Sequence, residues 1–359
     1  MRRLLLSVSA LCLLSPSALA EDELQARAEA NWRYGQKRSI LMTEFWVPIA
    51  QDDKSVLYGD LRMMGDDHDN REGNIGIGYR KMLGFKNLEG VGGAHAWLDR
   101  RITKRGSKFH QITLGAEWLG ETVDLRLNGY LPLSDKKEYT IPNADPQGPA
   151  FAGTGIVVDT NGQILEEPQH GFDIELGWEL GSQIDFIKDH TDSVRVYGGA
   201  YYFDGDNTEN VAGWRTRFTA DVTENIQFGA RFQRDDVRGS QGFLEATFRF
   251  PFGHKKSYRK EGIRARLDES PERDIDIVTG EQVTDSGDRV QVLNTATAAA
   301  QEVLHVDNTA AGGGDGSAEN PFNTLAAAES AASAQTIIYV HTGDGGTTGQ
   351  DQGVTLDKT

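Results

Sequence analysis

The chain has 359 residues, which is room for one large domain or for two or three ordinary ones. Its 54 acidic residues outnumber its 37 basic residues, and the net charge of −17 argues against a protein that binds nucleic acid. Mean hydropathy is −0.49 and no run of 18 apolar residues occurs, which excludes a helical membrane protein. A membrane β-barrel stays open, because its strands alternate apolar and polar residues and average to a soluble-looking hydropathy.

The N-terminus, residues 1–20, has the three parts of a secretory signal peptide. Arg2 and Arg3 supply the positive start, an apolar stretch too short to span a bilayer follows, and Ala18-Leu19-Ala20 forms the cleavage site. The single cysteine of the sequence, Cys12, lies inside this segment. It could alternatively be a lipoprotein acylation site, although the bulky residue before it argues against that role. The mature chain is therefore expected to have no disulfide and no cysteine metal ligand.

The body of the sequence alternates with a period of two, which predicts β-strands. In residues 123–131 the odd-numbered positions are apolar or glycine, while Asp124, Arg126, Asn128 and Tyr130 lie on the other face. Similar alternation recurs and predicts twelve strands of about ten residues, close to the length of a tilted membrane strand. The predicted strands are 28–35, 39–49, 55–64, 73–82, 91–101, 109–119, 122–131, 171–180, 193–203, 211–221, 226–234 and 241–250.

Three features favour an outer-membrane barrel over a soluble β-sandwich, which also alternates. The predicted strands are longer than usual, their polar face is charged, and aromatic residues stand at strand ends. They predict an all-β fold, a twelve-stranded antiparallel transmembrane barrel, with the sandwich as the alternative. The aromatic residues are Trp118, Trp178, Tyr201, Tyr202, Phe248 and Phe250. The residues expected to face the lumen are Glu117, Asp124, Arg126, Asn128, Asp173, Glu175, Glu179, Arg215, Arg217 and Arg231.

The connections between strands follow from the even strand number, which places both barrel ends on one side. Bacterial barrels begin in the periplasm, so the connections after odd-numbered strands are expected to be external. The longest connection, 132–170, follows the seventh strand and is therefore predicted to be external. Residues 120–121 and 222–225 are the short inner turns that this arrangement needs. The connection 181–192 falls on the inner side and is longer than the rule predicts.

Five stretches of the sequence carry a resemblance to a known family. They are Asn74-Ile75-Gly76-Ile77-Gly78-Tyr79-Arg80, Gly93-Ala94-His95-Ala96-Trp97-Leu98-Asp99-Arg100-Arg101, Asn128-Gly129-Tyr130-Leu131-Pro132-Leu133-Ser134, Glu167-Pro168-Gln169-His170-Gly171-Phe172-Asp173 and Arg266-Leu267-Asp268-Glu269-Ser270-Pro271-Glu272-Arg273-Asp274. Taken in this order they resemble the inverse autotransporters, the intimin and invasin family, over about residues 40–280.

The resemblance implies a twelve-stranded barrel, 21–252, that sits in the bacterial outer membrane and anchors a C-terminal passenger, which leaves the cell through the lumen. It also implies outer-membrane lipid, the barrel-assembly machinery and periplasmic chaperones as partners, and an unidentified extracellular ligand or host surface. Pairing of two barrels into a homodimer is left open. Intimin-like members often carry a peptidoglycan-binding LysM domain before the barrel, and residues 21–27 are too short to contain one.

The linker, 253–302, follows an aromatic strand end of the kind that closes an outer-membrane barrel. Twelve strands leave room for an extended segment or one helix, so the linker is expected to thread the lumen. Residues considered for this role are Lys255, Lys256, Arg259, Lys260, Arg264, Arg266, Leu267, Glu269, Glu272 and Arg273. The basic first half is expected to pair with the lumen acids Glu117, Asp124, Asp173, Glu175 and Glu179. The alternative is a solvated tether without fixed partners.

The last segment, 303–359, is predicted to start an extracellular passenger. Residues 303–307 and 336–340 are expected to be strands, with a short helix between them that is capped by Asn323 or Thr324. The segment resembles the opening of right-handed parallel β-helix domains, which need several stacked coils. The passenger is therefore expected to be truncated, with a short natural tail as the alternative.

No catalytic, cofactor or metal site is predicted. His305 and His341 stand alone without a zinc spacing, and no phosphate loop or nucleophile elbow occurs. The acidic runs 66–69 and 235–236 miss the calcium-loop spacing and indicate solvated loop charge. Asp99-Arg100-Arg101 could be a catalytic carboxylate beside arginines, but lumen and rim charges explain these residues more simply.

The predicted function is that of an outer-membrane anchor, not an enzyme, that exports and displays its own adhesin-like C-terminal segment. One rival is a porin-like channel with a C-terminal tail. The other is a surface polysaccharide lyase or hydrolase whose active site lies on β-helix coils beyond residue 359.

Overall fold

The computed structural model describes residues 24–85, 88–180, 191, 193–252, 262–285, 287–350 and 355. The predicted signal peptide with Cys12 lies outside the described residues, as do nearly all of the connection 181–192 and residues 253–261 of the predicted linker. Within the described part of the chain, no helix combines the length and apolar character that crossing a membrane requires.

Twelve antiparallel strands close into a barrel in which consecutive strands pair and the first strand also pairs with the last. The barrel strands are β1 (Arg27–Gly35), β2 (Ile40–Gln51), β3 (Ser55–Asp66), β4 (Arg71–Phe85), β5 (Leu88–Ile102), β6 (Lys108–Gly120), β7 (Val123–Pro132), β12 (His170–Glu179), β13 (Ser193–Asp204), β14 (Val211–Thr223), β15 (Ile226–Asp235) and β16 (Gly239–Pro251). The predicted twelve-stranded barrel is confirmed, and no strand end differs from its predicted position by more than three residues.

Burial in the barrel is inverted relative to a soluble protein. In β7, Asp124 and Arg126 are buried inside, while Leu127 and Leu131 are 43% and 53% exposed on the outside. The outer apolar positions suit lipid, and the inner polar positions keep the lumen hydrated. Tyr201 departs from the predicted outer band of aromatic residues, because it is buried inside and donates to Asp235 (2.9 Å).

The two ends of the barrel differ in their connections. Counting along the barrel, turns of two or three residues follow even-numbered strands at 52–54, 121–122 and 224–225, and these turns define the short-turn end. The long-loop end carries the connections after odd-numbered strands, among them 133–169. This connection has regular structure that the sequence did not predict. It contains β8 (Lys137–Pro142), β9 (Ala150–Ala152), β10 (Gly155–Asp159) and β11 (Asn161–Pro168).

The described residues pack as two compact units. The barrel unit takes the described residues within 1–135 and 167–280, and the second unit takes those within 136–166 and 281–359. The predicted linker therefore contributes to both units. Its later part forms β17 (Thr279–Asp285), beside β11, and β18 (Arg289–Gln291), beside β10.

The C-terminal part of the second unit is a strand, a helix and a strand, in the predicted order. β19 (Val303–Val306) and β20 (Ile337–Val340) pair in parallel, with α1 (Leu325–Ala331) between them in sequence. The Thr324 hydroxyl accepts a hydrogen bond from the Ala327 amide (3.2 Å) and caps α1. The likeness of this segment to a β-helix stays a prediction.

Candidate functional site

The candidate site is the barrel lumen with the chain that runs through it, residues 262–278, which we call the lumen segment. The segment begins as a 3-10 helix, Gly262–Asp268, and continues without regular structure to residue 278. Ile263 and Leu267 of this helix pack among inward apolar residues near the short-turn end. Those residues are Leu24, Trp46, Val56, Tyr58, Val91 and Leu119. The helix therefore packs against the barrel wall at the short-turn end through apolar contacts.

A second set of apolar contacts lies at the long-loop end. Ile275 packs against the cluster of Ile40, Met64 and Phe243. Val278 belongs to a cluster with Tyr130, Tyr201, Phe203 and Val211. These barrel residues stand at the strand ends that meet the longer connections. The lumen segment therefore crosses the lumen from one end to the other.

Ion pairs of both signs hold the middle of the lumen segment. Each pair joins one residue of the lumen segment to one residue of the barrel, and the pairs are largely removed from water. The pairs are Arg266 with Asp124 (2.6 Å), Glu269 with Arg126 (3.4 Å), Glu272 with Arg231 (2.6 Å), Arg273 with Asp99 (3.0 Å), and Asp276 with Arg38 (2.7 Å) and Arg101 (2.5 Å). Breaking one partner of a buried pair leaves an uncompensated charge, which costs about 3–5 kcal/mol.

The backbone of the lumen segment is also bound by the barrel wall. Arg62 donates to the Pro271 carbonyl (2.9 Å), and Asn128 donates to the Glu272 carbonyl (3.1 Å). The Tyr130 hydroxyl accepts from the Asp274 amide (2.6 Å). An extended chain inside a barrel has no ladder of its own, so these side chains supply the partners that its peptide groups need.

Trp97 of β5 lies between two guanidinium groups, one from the wall and one from the segment. Arg62 stands 4.5 Å and Arg273 4.6 Å from the centre of the indole ring. The indole N–H donates to His95 Nδ1 (3.0 Å), which fixes the plane of the ring. Planar guanidinium groups stack on an aromatic face in a way that lysine cannot reproduce.

The lumen segment does not fill the lumen completely. A polar cavity of about 120 Å³ lies against it, with wall residues of β1 and of β13 to β16 on its far side. Arg33, Arg195, Asp221 and Arg249 are among its lining residues. The cavity has room for water and small ions.

The described residues hold no group of three or more His, Cys, Asp or Glu side chains that could bind a metal ion. The acidic runs considered for calcium differ from solvated loop charge, because Asp66 binds Arg38 (2.6 Å) and Asp235 binds Arg238 (2.8 Å). His305 and His341 were expected to stand apart, but the structure brings them together. The parallel register of β19 and β20 brings their ring nitrogens to 3.1 Å.

The structure is a closed barrel with a later segment of the same chain bound in its lumen. A family model described as the inverse autotransporter beta-domain matches residues 14–253. The chain belongs to the inverse autotransporter family. Barrels of this family are outer-membrane anchors and not enzymes.

One solved structure supports the same fold for this inverse autotransporter. It is described by the words "Unveiling the Mechanism Behind the in-meso Crystallization of Membrane Proteins", is 16% identical with a TM-score of 0.55, and covers 72% of this chain and 100% of its own. An outer-membrane channel from Pseudomonas putida F1 is 11% identical with a TM-score of 0.39 over 66% of this chain and 100% of its own. Omp33 of Acinetobacter baumannii is 12% identical with a TM-score of 0.32 over 63% and 98%. No curated protein matches the chain significantly.

Four of the five stretches that carry the family resemblance meet in the lumen of this inverse autotransporter. In β5, Asp99 and Arg101 face inward and bind the lumen segment, while Arg100 points outward. In β7, Asn128 and Tyr130 bind its backbone. The residues that resemble the family are therefore largely those through which the barrel and the lumen segment contact each other.

The stretch that starts at Glu167 forms the rim of the barrel at the long-loop end. The Glu167 carboxylate accepts from the amides of Asn207 (2.7 Å) and Thr208 (2.8 Å). Partial burial raises the pKa of Glu167, but these hydrogen bonds outweigh it and leave the pKa below its ordinary value. Next to it, the Gln169 amide donates to the Val278 carbonyl (2.9 Å), so the rim holds the end of the lumen segment.

The ten residues expected to face the lumen are all buried on the inner wall. Of the five acids expected to pair with the basic linker, Asp124 binds Arg266. The other four acids instead bind arginines of the barrel wall. These pairs are Glu117 with Arg80 (2.6 Å), Asp173 with Arg215 (2.9 Å), Glu175 with Arg217 (2.5 Å) and Glu179 with Arg195 (2.9 Å). These acids pair with wall arginines and not with the linker because neighbouring strands already hold those arginines beside them.

The described linker residues have different roles. Arg266, Glu269 and Arg273 make buried pairs, and Leu267 is apolar packing. Arg264 donates to the Asp53 carbonyl in a short turn. The expected partners Lys255 to Lys260 lie outside the described residues.

The sequence analysis did not predict the pairs between acids of the lumen segment and arginines of the barrel wall. It sought basic linker residues and acidic wall residues, although Glu272 and Asp276 bind wall arginines. The signal was available, because residues 269–276 of the linker contain four acids, Glu269, Glu272, Asp274 and Asp276, and a single base, Arg273. Which charges meet depends on the stagger of the strands, and the alternation does not carry that information.

A valine at Gly78 is expected to destabilise the barrel. A Cβ atom at Gly78 would overlap the ring of Tyr58, which is fully buried, stacked on Trp46 at 5.3 Å and covered by Arg80. Overpacking of this kind costs about 1–3 kcal/mol. We expect Gly78→Val to lower the temperature at which the barrel loses its folded mobility on a detergent gel.

The matched control for Gly78→Val is Gly73→Val on the same strand. A Cβ at Gly73 meets nothing within 4 Å. Equal unfolding temperatures for the two variants would contradict the proposed role of Gly78.

Proposed function

We propose that the protein is an outer-membrane anchor that passes its own C-terminal segment through the barrel lumen and displays it outside the cell. The observation that carries the proposal is the path of residues 262–278, which begin in the apolar cluster of the short-turn end and finish in that of the long-loop end. A barrel of this family faces the periplasm with its short turns. The path therefore has the direction that export requires.

The division of the chain that follows from this proposal has four parts. Residues 1–20 are a signal peptide, 21–252 the barrel, 253–302 the linker and 303–359 the start of the passenger. An extended chain covers about 3.3 Å per residue, so roughly ten residues cross the hydrocarbon band, and 262–278 are sufficient. Lipid would surround the barrel, the barrel-assembly machinery and periplasmic chaperones would insert it, and an extracellular ligand would bind the passenger as in an adhesin.

The lumen contacts speak against the rival function, a porin-like channel with a C-terminal tail. A porin needs an open aqueous path, whereas the lumen segment is fixed by ion pairs and by apolar contacts at both ends. We therefore assign no transport role to the full chain.

An epitope tag placed after Thr359 is expected to bind antibody on intact cells. The same tag inserted after Glu224, in a turn of the short-turn end, is the control and should be labelled only after the outer membrane is permeabilised. Labelling of the C-terminal tag only after permeabilisation would leave the segment in the periplasm and would refute export.

A further inference from the structure

We propose that the hairpin of β9 and β10 (residues 150–159) is a folding template for this chain's own C-terminal segment, residues 288–341. The hairpin belongs to the connection 133–169 and stays attached to the barrel, while the segment must arrive unfolded through the lumen. The direction of that arrival rests on the proposed function. The contacts described next lie within the second unit and do not depend on it.

The first contact is a backbone ladder between β10 and β18. Val158 lies opposite Val290, the Thr160 amide donates to the Asp288 carbonyl (3.1 Å), and the Val292 amide donates to the Ile156 carbonyl (2.8 Å). The side chains of β18 are exposed, with Val290 at 48%. Side-chain burial therefore cannot order this stretch, and the ladder to β10 accounts for its strand conformation.

The second contact places the hairpin tip against the edge of β19. The Val303 amide donates to the Thr154 carbonyl (2.8 Å), and the Ala318 amide donates to the Gly153 carbonyl (2.9 Å). The Gly153 amide in turn donates to the Glu319 carboxylate (3.2 Å). Gly153 has a φ of +58°, so glycine suits this tight turn. The hairpin thus bonds the first residue of β19, whereas His305 further along the strand bonds Gly316 and Phe322 of the segment itself.

The third contact is aromatic. The Phe151 ring meets His305 edge-on at 4.6 Å and lies 5.1 Å from Tyr339. All four residues of β19 are buried, whereas Ile337, Tyr339 and Val340 of β20 are 42–45% exposed. β19 is therefore the ordered centre of the segment: Leu304 and Val306 pack against α1 and Phe322, and the hairpin covers His305 with the Phe151 ring.

A template meets a physical need of this segment. Two parallel strands require a long crossover, and the 30 residues between β19 and β20 must order before their pairing gains anything. An edge strand that is already folded removes part of this cost, because pairing with β10 can start with β18 and proceed along the chain. The occupant of the hairpin edge is thus the emerging chain itself.

Hydrogen exchange of the purified full chain in detergent micelles tests the template. Val158→Pro removes a ladder amide and Phe151→Ala removes the ring, whereas Glu138→Ala on exposed β8 is the matched control. The informative amides are Ile337 and His341, which donate to Glu302 and Val306 and not to the hairpin. We expect them to exchange at least about tenfold faster in both hairpin variants and at the parent rate in Glu138→Ala.

Parent protection of Ile337 and His341 in both hairpin variants would overturn the template, because the segment would then fold alone. Protection that disappears on dilution of the parent protein would also overturn it, in favour of pairing with a second copy. Folded gel mobility verifies that the barrel survives each substitution, and Phe151→Ala leaves the backbone intact if Val158→Pro does not fold. Surface labelling of the Thr359 tag reports export separately, so failure of export and failure of the template are distinguished.

Discussion

Truncation after Phe252 is expected to raise the single-channel conductance about tenfold above that of the full chain, because it removes the segment that fills a twelve-stranded lumen. Without residues 262–278, the wall charges Asp99, Asp124 and Arg231 lose their segment partners and become hydrated. The wall keeps its internal pairs, such as Glu117 with Arg80, so the barrel should stay folded. The measurement is conductance in planar bilayers at one salt concentration.

The matched control for this truncation ends the chain after residue 302. It keeps the lumen segment and removes β19, α1 and β20, so its conductance should equal that of the full chain. If the chain truncated after Phe252 conducts no better than the full chain, the lumen segment does not occlude the pore, and the porin-like alternative gains support.

Arg266→Glu is expected to expel the lumen segment from its site. Arg266 is buried between Asp124 (2.6 Å) and Glu269 (2.5 Å), so the substitution places a third carboxylate beside two others. Loss of a buried pair costs about 3–5 kcal/mol, and each 1.4 kcal/mol is tenfold in an equilibrium constant. The fraction of time spent in the open, truncation-like conductance should therefore rise roughly a hundredfold.

Two further variants make the Arg266→Glu result specific. Arg266→Lys should keep more of the closed state than Arg266→Glu, because it retains a positive charge beside Asp124 and Glu269. Arg264→Glu is the control, since Arg264 faces a fully exposed Asp53 at 3.9 Å and exposed pairs are worth about 0–1 kcal/mol. Equal effects of the substitutions at positions 264 and 266 would refute the specific role of the Arg266–Asp124 pair.

The twelve strands could be predicted because one physical rule governs each of them. Every second residue faces lipid, so alternation such as that around Asp124 is repeated with little interference from tertiary structure. The four short strands of 133–169 follow no such rule. β9 has three residues and β10 five, and their order depends on partners that include residues 289–291, more than a hundred residues later.

The partners within the site were harder to predict than its location. The period of two places Asp99, Asp173 and Arg231 inside, but it gives no height along the barrel axis. Strand stagger decides that Asp173 meets Arg215 while Asp99 meets Arg273 of the lumen segment. The meeting of His305 and His341 has the same origin, because a parallel register over 36 residues has no local signal.

The lumen segment binds the barrel through apolar contacts at both of its ends and belongs to the same chain, so it behaves as a tethered ligand of the barrel. A ligand joined covalently to its receptor through a few residues has an effective concentration in the millimolar range. A free peptide with the sequence of residues 262–278 would have to exceed that concentration to displace the resident segment, whereas the truncated barrel offers it an empty receptor. Stabilisation of the barrel by its segment then follows mass action, growing with the logarithm of effective concentration over dissociation constant. The free energy of unfolding of the barrel and the occupancy of its lumen are therefore linked, and both depend on a stretch of chain that lies outside the barrel sequence.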